Sequence, residues 1–194
     1  MSEYRPGLEN VIAGETAIST IAGGLQYRGY RIEDLADHAT FEETAYLILH
    51  GELPNQSQLG EFSAALSASA SIPEEIIAYL GSIPAEASMM DVLRTVVSSL
   101  AHWDDETEDS SAEANLRKSI RLLAQLPVAL AARQRLRNGQ QPIAADSNLG
   151  LAANLLWMLH GEPPSERSIR ALDLTLILYA EHEFNASTFT SRVV

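Results

Sequence analysis

The sequence predicts an almost all-α chain with one short β-hairpin near its amino terminus. Three observations carry that expectation. Alanine and leucine are abundant and aromatics are only 6% of the chain, which favours helix over β-sandwich. Helix start and stop signals recur from Thr40 to His182. Residues 8–30 read differently: Val11, Ile12, Thr16, Ile18 and Thr20 are β-branched, and Gly23-Gly24 supplies a turn before Leu25-Gln26-Tyr27-Arg28.

From Thr40 onward the elements follow in order. Thr40-Phe41-Glu42-Glu43 forms a capping box, in which the threonine hydroxyl takes an early backbone N–H and Glu43 reaches back to the cap. Phe41, Ala45, Ile48 and Leu49 then share a face, and Gly51 with Pro54 stops the helix. A second helix is expected over 56–69, burying Leu59, Phe62 and Leu66. Ser71-Ile72-Pro73-Glu74 opens a short third one that Gly81 closes. Ser88 caps the next, with Asp91 in its first turn and an apolar stripe of Met89, Leu93, Val96, Val97 and Leu100.

Asp104-Asp105-Glu106-Thr107-Glu108-Asp109 packs five carboxylates into six residues and reads as a solvated loop, because like charges repel. Hard cations take oxygen ligands, but this run lacks the glycine and the spacing of a calcium loop, so no metal site is expected. A long helix spans 112–138 with Pro127 inside it, where a missing donor predicts a kink. Its basic residues, Arg117, Lys118, Arg121, Arg133, Arg135 and Arg137, are expected at exposed positions and towards its C-terminal end. A further helix over 148–160 turns Leu149, Ala153, Leu156 and Leu159 inward and stops at Gly161. The last begins near Ser165, runs to about His182 and, with Leu172, Leu174, Leu176, Ile177 and Leu178 on more than one face, reads as buried nearly all round. His50 and His160 each precede a stop glycine, where the helix dipole favours them, and they are read as structural.

The chain of 194 residues is long enough for a real core, and one domain is the default. A formal charge of −13 argues against nucleic acid and against an anionic membrane surface as partners. Solubility is the plain reading of that acidity. There are no cysteines, which excludes disulfides, thiolate zinc sites and cysteine nucleophiles. No uncharged apolar stretch reaches the ~18 residues of a membrane span, and Met1–Gly7 has no apolar signal core, so a cytoplasmic protein is expected.

The candidate site is the end of the last helix, Leu176–Thr188. His182 can donate from its ring, Asn185 adds an amide donor and Ser187 a hydroxyl. If a helix or tight turn continues there, His182 and Asn185 lie one turn apart on one face. Donors converging in this way can hold a carboxylate or polarise a carbonyl oxygen. A lone histidine near a helix end is more often structural. No Gly-x-Ser-x-Gly elbow supports a hydrolase.

From Gly7 onward nearly the whole chain resembles the citrate synthase family, in the order and spacing of several blocks. These are Gly7-Leu8-Glu9-Asn10-Val11-Ile12-Ala13 with Glu15–Ser19, then Leu25–Tyr30, Ile32–Ala36, Phe41–Glu43 through His50–Pro54, Met90–Thr95 and finally Tyr179–Val194. The last block is similar to both citrate and 2-methylcitrate synthases. Ser88-Met89 stands where many relatives have histidine-proline. The resemblance implies an all-α large domain, of which residues 1–194 are the amino-terminal portion. It implies condensation of acetyl-CoA, or another acyl-CoA, with oxaloacetate, without a permanently bound cofactor and without a metal. In that reaction an aspartate removes the methyl proton, one histidine stabilises the enol and a second polarises the oxaloacetate carbonyl. The motif assigns the carbonyl-polarising role to His182, with Asn185 beside it in the oxaloacetate pocket. The other catalytic histidine and the aspartate belong to a Gly-x-x-His-Gly-Gly-Ala-Asn segment and a smaller domain that do not occur in residues 1–194. The chain is therefore expected to be the front part of an enzyme, inactive alone. The family dimerises through packed helices, which the helices over 88–103 and 112–138 resemble, so a homodimer is expected. The alternative is a non-catalytic helical dimerisation or scaffold module of the same ancestry.

Overall fold

The computed structural model describes residues 14–193. The β element is a three-stranded antiparallel meander, one strand more than the expected hairpin. β1 (Ser19–Thr20), β2 (Gln26–Tyr27) and β3 (Tyr30–Arg31) pair Ser19 with Tyr27 and Tyr27 with Tyr30. The Gly23-Gly24 turn joins the first two strands, and Arg28-Gly29 turns the chain into the third, both residues having positive φ. Val11 and Ile12 lie outside the described residues. The sheet runs directly into a helix with no counterpart in the sequence reading, α1 (Ile32–His38), whose ends lack a side-chain cap.

α2 (Phe41–His50) forms as the local signals predict. Thr40 Oγ1 accepts the Glu43 N–H at 3.3 Å, the Glu43 carboxylate accepts the Thr40 N–H at 2.7 Å, and Gly51 takes the left-handed exit at φ 95°. The His50 ring stacks on Tyr46 at 3.9 Å between centroids, a packing role. α3 (Gln56–Ser69) has its own capping box from Asn55 and Gln58. α4 (Glu74–Ser82) departs from expectation at both ends. Pro73 occupies the N-cap without a side-chain bond, and Gly81 is helical instead of terminal. The stop comes from elsewhere: Arg133 donates to the carbonyls of Leu80, Ile83 and Pro84 at 2.9, 3.0 and 2.6 Å, satisfying the end of α4.

α5 (Met89–Leu100) buries Val92, Val96 and Leu100, whereas Val97 is exposed, so the buried stripe sits one step round from the expected one. Ser88 caps it by backbone position without a side-chain bond. A 3₁₀ turn, Ala101–Trp103, leads into the acidic loop. α6 (Ala112–Arg137) is the spine, packing against α3, α4, α5 and α7. It continues through Pro127, and its buried Ala124, Ala129, Ala131 and Ala132 let the neighbouring helices approach closely. Arg133 contradicts the expected exposure of its basic residues: it is 2% exposed. α7 (Leu151–His160) starts three residues later than expected, because the Asp146 carboxylate takes the Asn148 N–H and folds 146–149 into a turn. The first N–H of α7 is taken by Glu42 Oε1 of α2, at 2.6 Å. Ala152, Ala153, Asn154 and Met158 are its buried residues, so Leu149, Leu156 and Leu159 are not the deepest positions.

α8 (Glu166–Leu178) begins at the expected Ser165 cap but ends four residues before His182. It is not buried all round. Asp173 and Ile177 are buried against α1, α2 and α7, while Leu178 is 44% and Tyr179 84% exposed. α9 (Ala186–Val193) closes the described chain. Three apolar clusters result: β2, α1, α2, α3, α6 and α8 share one, α4, α5 and α6 a second, and α6 with α7 a third. Among the described residues no helix is long and apolar enough to cross a membrane.

Candidate functional site

His182 lies in the bend between α8 and α9, exposed to solvent. The helix that the sequence extends to it is broken by competing hydrogen bonds. Tyr179 and Ala180 close the last turn of α8 on the Thr175 and Ile177 carbonyls. The next amide, Glu181 N–H, is taken by the Tyr27 hydroxyl at 3.3 Å, and Glu183 N–H by Ser19 Oγ at 2.8 Å. Glu183 itself has φ 70°, a left-handed conformation that residues with a side chain rarely adopt. His182 and Asn185 therefore do not share a helical face, which corrects the expectation based on a continuing helix.

Asn185 is the N-cap of α9. Its Oδ1 accepts the Thr188 N–H at 2.9 Å, leaving the amide nitrogen as the donating group. Ser187 is exposed in the first turn of α9. Arg192, on the same helix, lies with its guanidinium 5.5 Å from the centre of the Phe184 ring. A Cβ on Gly14 would meet that guanidinium at 2.7 Å, so a side chain there would displace the end of Arg192. A small cavity of about 280 Å³ opens between residues 15–18 and this bend, lined by Thr16, Ile18, Glu181, Phe184, Thr188 and Arg192.

The groups that build the bend were not singled out by sequence reasoning. Tyr27 is fully buried, and burial pushes its phenol up from the ordinary value, keeping the O–H available as a donor. It donates to the Ile177 carbonyl at 3.0 Å. Ser19 Oγ donates to Glu181 Oε1 at 3.2 Å, and Glu183 Oε1 accepts the Ile21 N–H at 2.9 Å. The available signal was Tyr27 inside the Leu25–Tyr30 block, which says nothing of its partner 154 residues away.

A larger cavity, about 630 Å³, lies elsewhere, between α3, α6 and the 145–151 turn. Its main polar groups are already engaged. Glu42 holds the start of α7, and Asn154 exchanges bonds with the Asp146 backbone at 2.9 and 2.8 Å. It is a packing gap without a free convergent donor set, and it is not a candidate for the site.

The acidic loop is less solvated than its composition suggests. Arg121 binds Asp104 through both oxygens and reaches Glu106 at 2.8 Å, and Arg117 also pairs with Glu106. Hydrogen bonds from Arg117 and then Arg121 hold the Glu106 carboxyl at about 2. Burial pushes Asp104 up, but the Arg121 guanidinium and the Glu106 backbone N–H outweigh it, and the group titrates below its ordinary value. Among the described residues no cluster of histidine and carboxylate side chains could hold a metal ion.

A multi-helical fold whose described part closes on a helix–bend–helix, with an exposed histidine and a capping asparagine in the bend, is of the all-α class that the blocks above resemble. Residues 7–194 match the family model described as citrate synthase, C-terminal domain. The chain belongs to the citrate synthase family. It is 43% identical to citrate synthase 2 of Bacillus subtilis over 189 residues, covering 96% of this chain and 51% of that protein. It is 41% identical to 2-methylcitrate synthase of Mycobacterium tuberculosis over 195 residues, covering 99% and 49% respectively. Among solved structures, the citrate synthase of Pyrobaculum aerophilum superposes with a TM-score of 0.88 at 33% identity, covering 96% of this chain and 49% of that one. The chain thus spans about half the length of the curated relatives it matches.

Proposed function

We propose that residues 1–194 supply the oxaloacetate side of an acyl-CoA condensing enzyme, with His182 as the group that polarises the keto carbonyl and Asn185 beside it. The observation that supports this most is the bend itself. An exposed imidazole sits between two amides anchored to another part of the molecule, next to a cap asparagine whose amide nitrogen remains to donate. A donor held in place before substrate arrives lowers the barrier, because it need not reorganise as charge develops on the carbonyl oxygen. The attacking carbon comes from acetyl-CoA or another acyl-CoA. The proton-abstracting aspartate and the enol-stabilising histidine come from outside residues 1–194, so this stretch alone does not turn over. No permanently bound cofactor takes part.

The test joins residues 1–194 to the carboxy-terminal half of the Bacillus subtilis relative and follows oxaloacetate-dependent release of CoA thiol from acetyl-CoA. His182→Ala is expected to lower kcat by about 10²–10³-fold, the usual cost of losing one donor to a developing oxyanion. Unchanged turnover would remove His182 from the site and favour the non-catalytic module. Turnover by residues 1–194 alone would refute the requirement for outside groups.

We further propose that the protein is a homodimer. α5 leaves Met90 71% and Val97 37% exposed, and Trp103 just beyond it is 48% exposed, an apolar face of the sort that a second copy covers. Sedimentation equilibrium at micromolar concentration should give twice the monomer mass, and a single species at monomer mass contradicts this.

A further inference from the structure

His182 stands between two residues tied to the amino-terminal sheet. On one side Glu181 N–H donates to the Tyr27 hydroxyl, and on the other Glu183 N–H donates to Ser19 Oγ. Each hydroxyl makes a second bond that fixes its own direction. Tyr27 donates to the Ile177 carbonyl in the last turn of α8, and Ser19 donates to the Glu181 carboxylate. Glu183 returns the connection by accepting Ile21 N–H from the residue after β1. Tyr27 is 0% and Ser19 7% exposed, so water does not compete freely for either hydroxyl. The bend also holds Glu183 at positive φ, a conformation that persists only where surrounding bonds over-determine it. With both flanking amides fixed, the direction of the Cα–Cβ bond of His182 is fixed too.

We infer that Ser19 and Tyr27 are positioning residues for His182: one buried hydroxyl on each side holds the bend, and so the amino-terminal sheet aims the imidazole. The inference rests on the reading of His182 as an oxaloacetate-binding group, and it makes the sheet part of the site although no atom of it need touch substrate. A misplacement of about 1 Å is enough to weaken a substrate contact. Glu181 and Glu183 then serve as counterparts of the two hydroxyls and not as proton-transfer groups.

The test uses residues 1–194 labelled with ¹⁵N and with ¹³C-histidine. Ser19→Ala and Tyr27→Phe each delete one hydroxyl, while Ser19→Thr keeps it. Exchange of the Glu183 amide should quicken about tenfold in Ser19→Ala, and that of the Glu181 amide about tenfold in Tyr27→Phe. Ser19→Thr should stay near the parent. The His182 imidazole resonance should shift and broaden in both hydroxyl-free variants, while those of His50 and His160 stay in place. If both amides exchange at the parental rate, the inference is overturned. If exchange quickens but the His182 resonance does not move, the hydroxyls are merely structural and the inference is equally overturned. Tyr27→Phe keeps the buried ring, so it decides the matter if Ser19→Ala fails to fold. A separate arm measures the oxaloacetate KM in the joined enzyme, where each variant should raise it about fivefold, the effect of one hydrogen bond, and should lose that effect in a His182→Ala background. If His182→Ala itself is silent, the reading of His182 fails, while exchange and resonance still decide the positioning.

Discussion

The two ends of α6 carry the same residue type under opposite conditions. Near its amino end, Arg117 and Arg121 face an acidic loop at the surface, with side chains 52% and 27% exposed. Near its carboxyl end, Arg133 is 2% exposed and donates to three carbonyls at the end of α4. The guanidinium suits both places because its donors fan out in a rigid plane. The energetic consequence differs. At the surface, water and salt can replace the partners, so the ion pairs add less than the buried contacts do. In the interior the Arg133 side chain is enclosed, and its loss strands the buried Leu80 carbonyl and removes the bonds to the partly buried Ile83 and Pro84 carbonyls.

The largest effect should follow from breaking the buried end. Arg133→Met fills the space without donors and should destabilise the fold by about 3 kcal/mol, since each stranded buried acceptor costs roughly 1–3 kcal/mol. Urea unfolding would show this as a lower midpoint at unchanged slope. Arg133→Lys should recover only part of the loss, because a single ammonium cannot serve three diverging carbonyls.

The surface end should show its contribution as a dependence on pH. The folded-state carboxyls of Glu106 and Asp104 titrate below their unfolded values, Glu106 moving from 4.5 to about 2. A depressed carboxyl stabilises the fold above its unfolded value and loses that contribution as pH falls through its folded value. The thermal midpoint of the parent should therefore drop between about pH 5 and pH 2 more than that of an Arg117→Ala, Arg121→Ala double variant. Near pH 7 the double variant should lose less than Arg133→Met does. Raising the salt to about 1 M should shrink the difference between parent and double variant while leaving the Arg133→Met effect in place. A double variant with the parental acid profile would mean that the loop carboxylates are paired by other groups.

How much of this was legible depended on the range of the cause. α2 was readable from Thr40, Glu43 and Gly51 because a capping box and a left-handed stop involve neighbours along the chain. α4 was misread at Gly81 because its stop is a side chain from α6, 53 residues on. α7 was misplaced because Glu42 of α2 caps it from 109 residues away. The exposed flank of α8 was misread as buried because a run of leucines says that a surface is apolar and not that a neighbour covers it. The acidic loop looked merely repulsive because its arginine partners lie 11 to 17 residues further on, in a helix whose facing the charge run alone does not reveal.

By itself the sequence determined most of the helical segments between Thr40 and Leu178, where the locally capped ones begin and end, and which family the chain resembles, since these rest on contacts between near neighbours and on ordered blocks of residues. It also singled out His182 and Asn185 as candidates by residue type and block. Only the tertiary structure decided how they are held. Local periodicity carried α8 on to His182, but the amides of Glu181 and Glu183 find the hydroxyls of Tyr27 and Ser19 from the other end of the chain. Those bonds compete with the next helical turn and win because the hydroxyls are buried beside it, where an unpaired amide would otherwise be left without a partner.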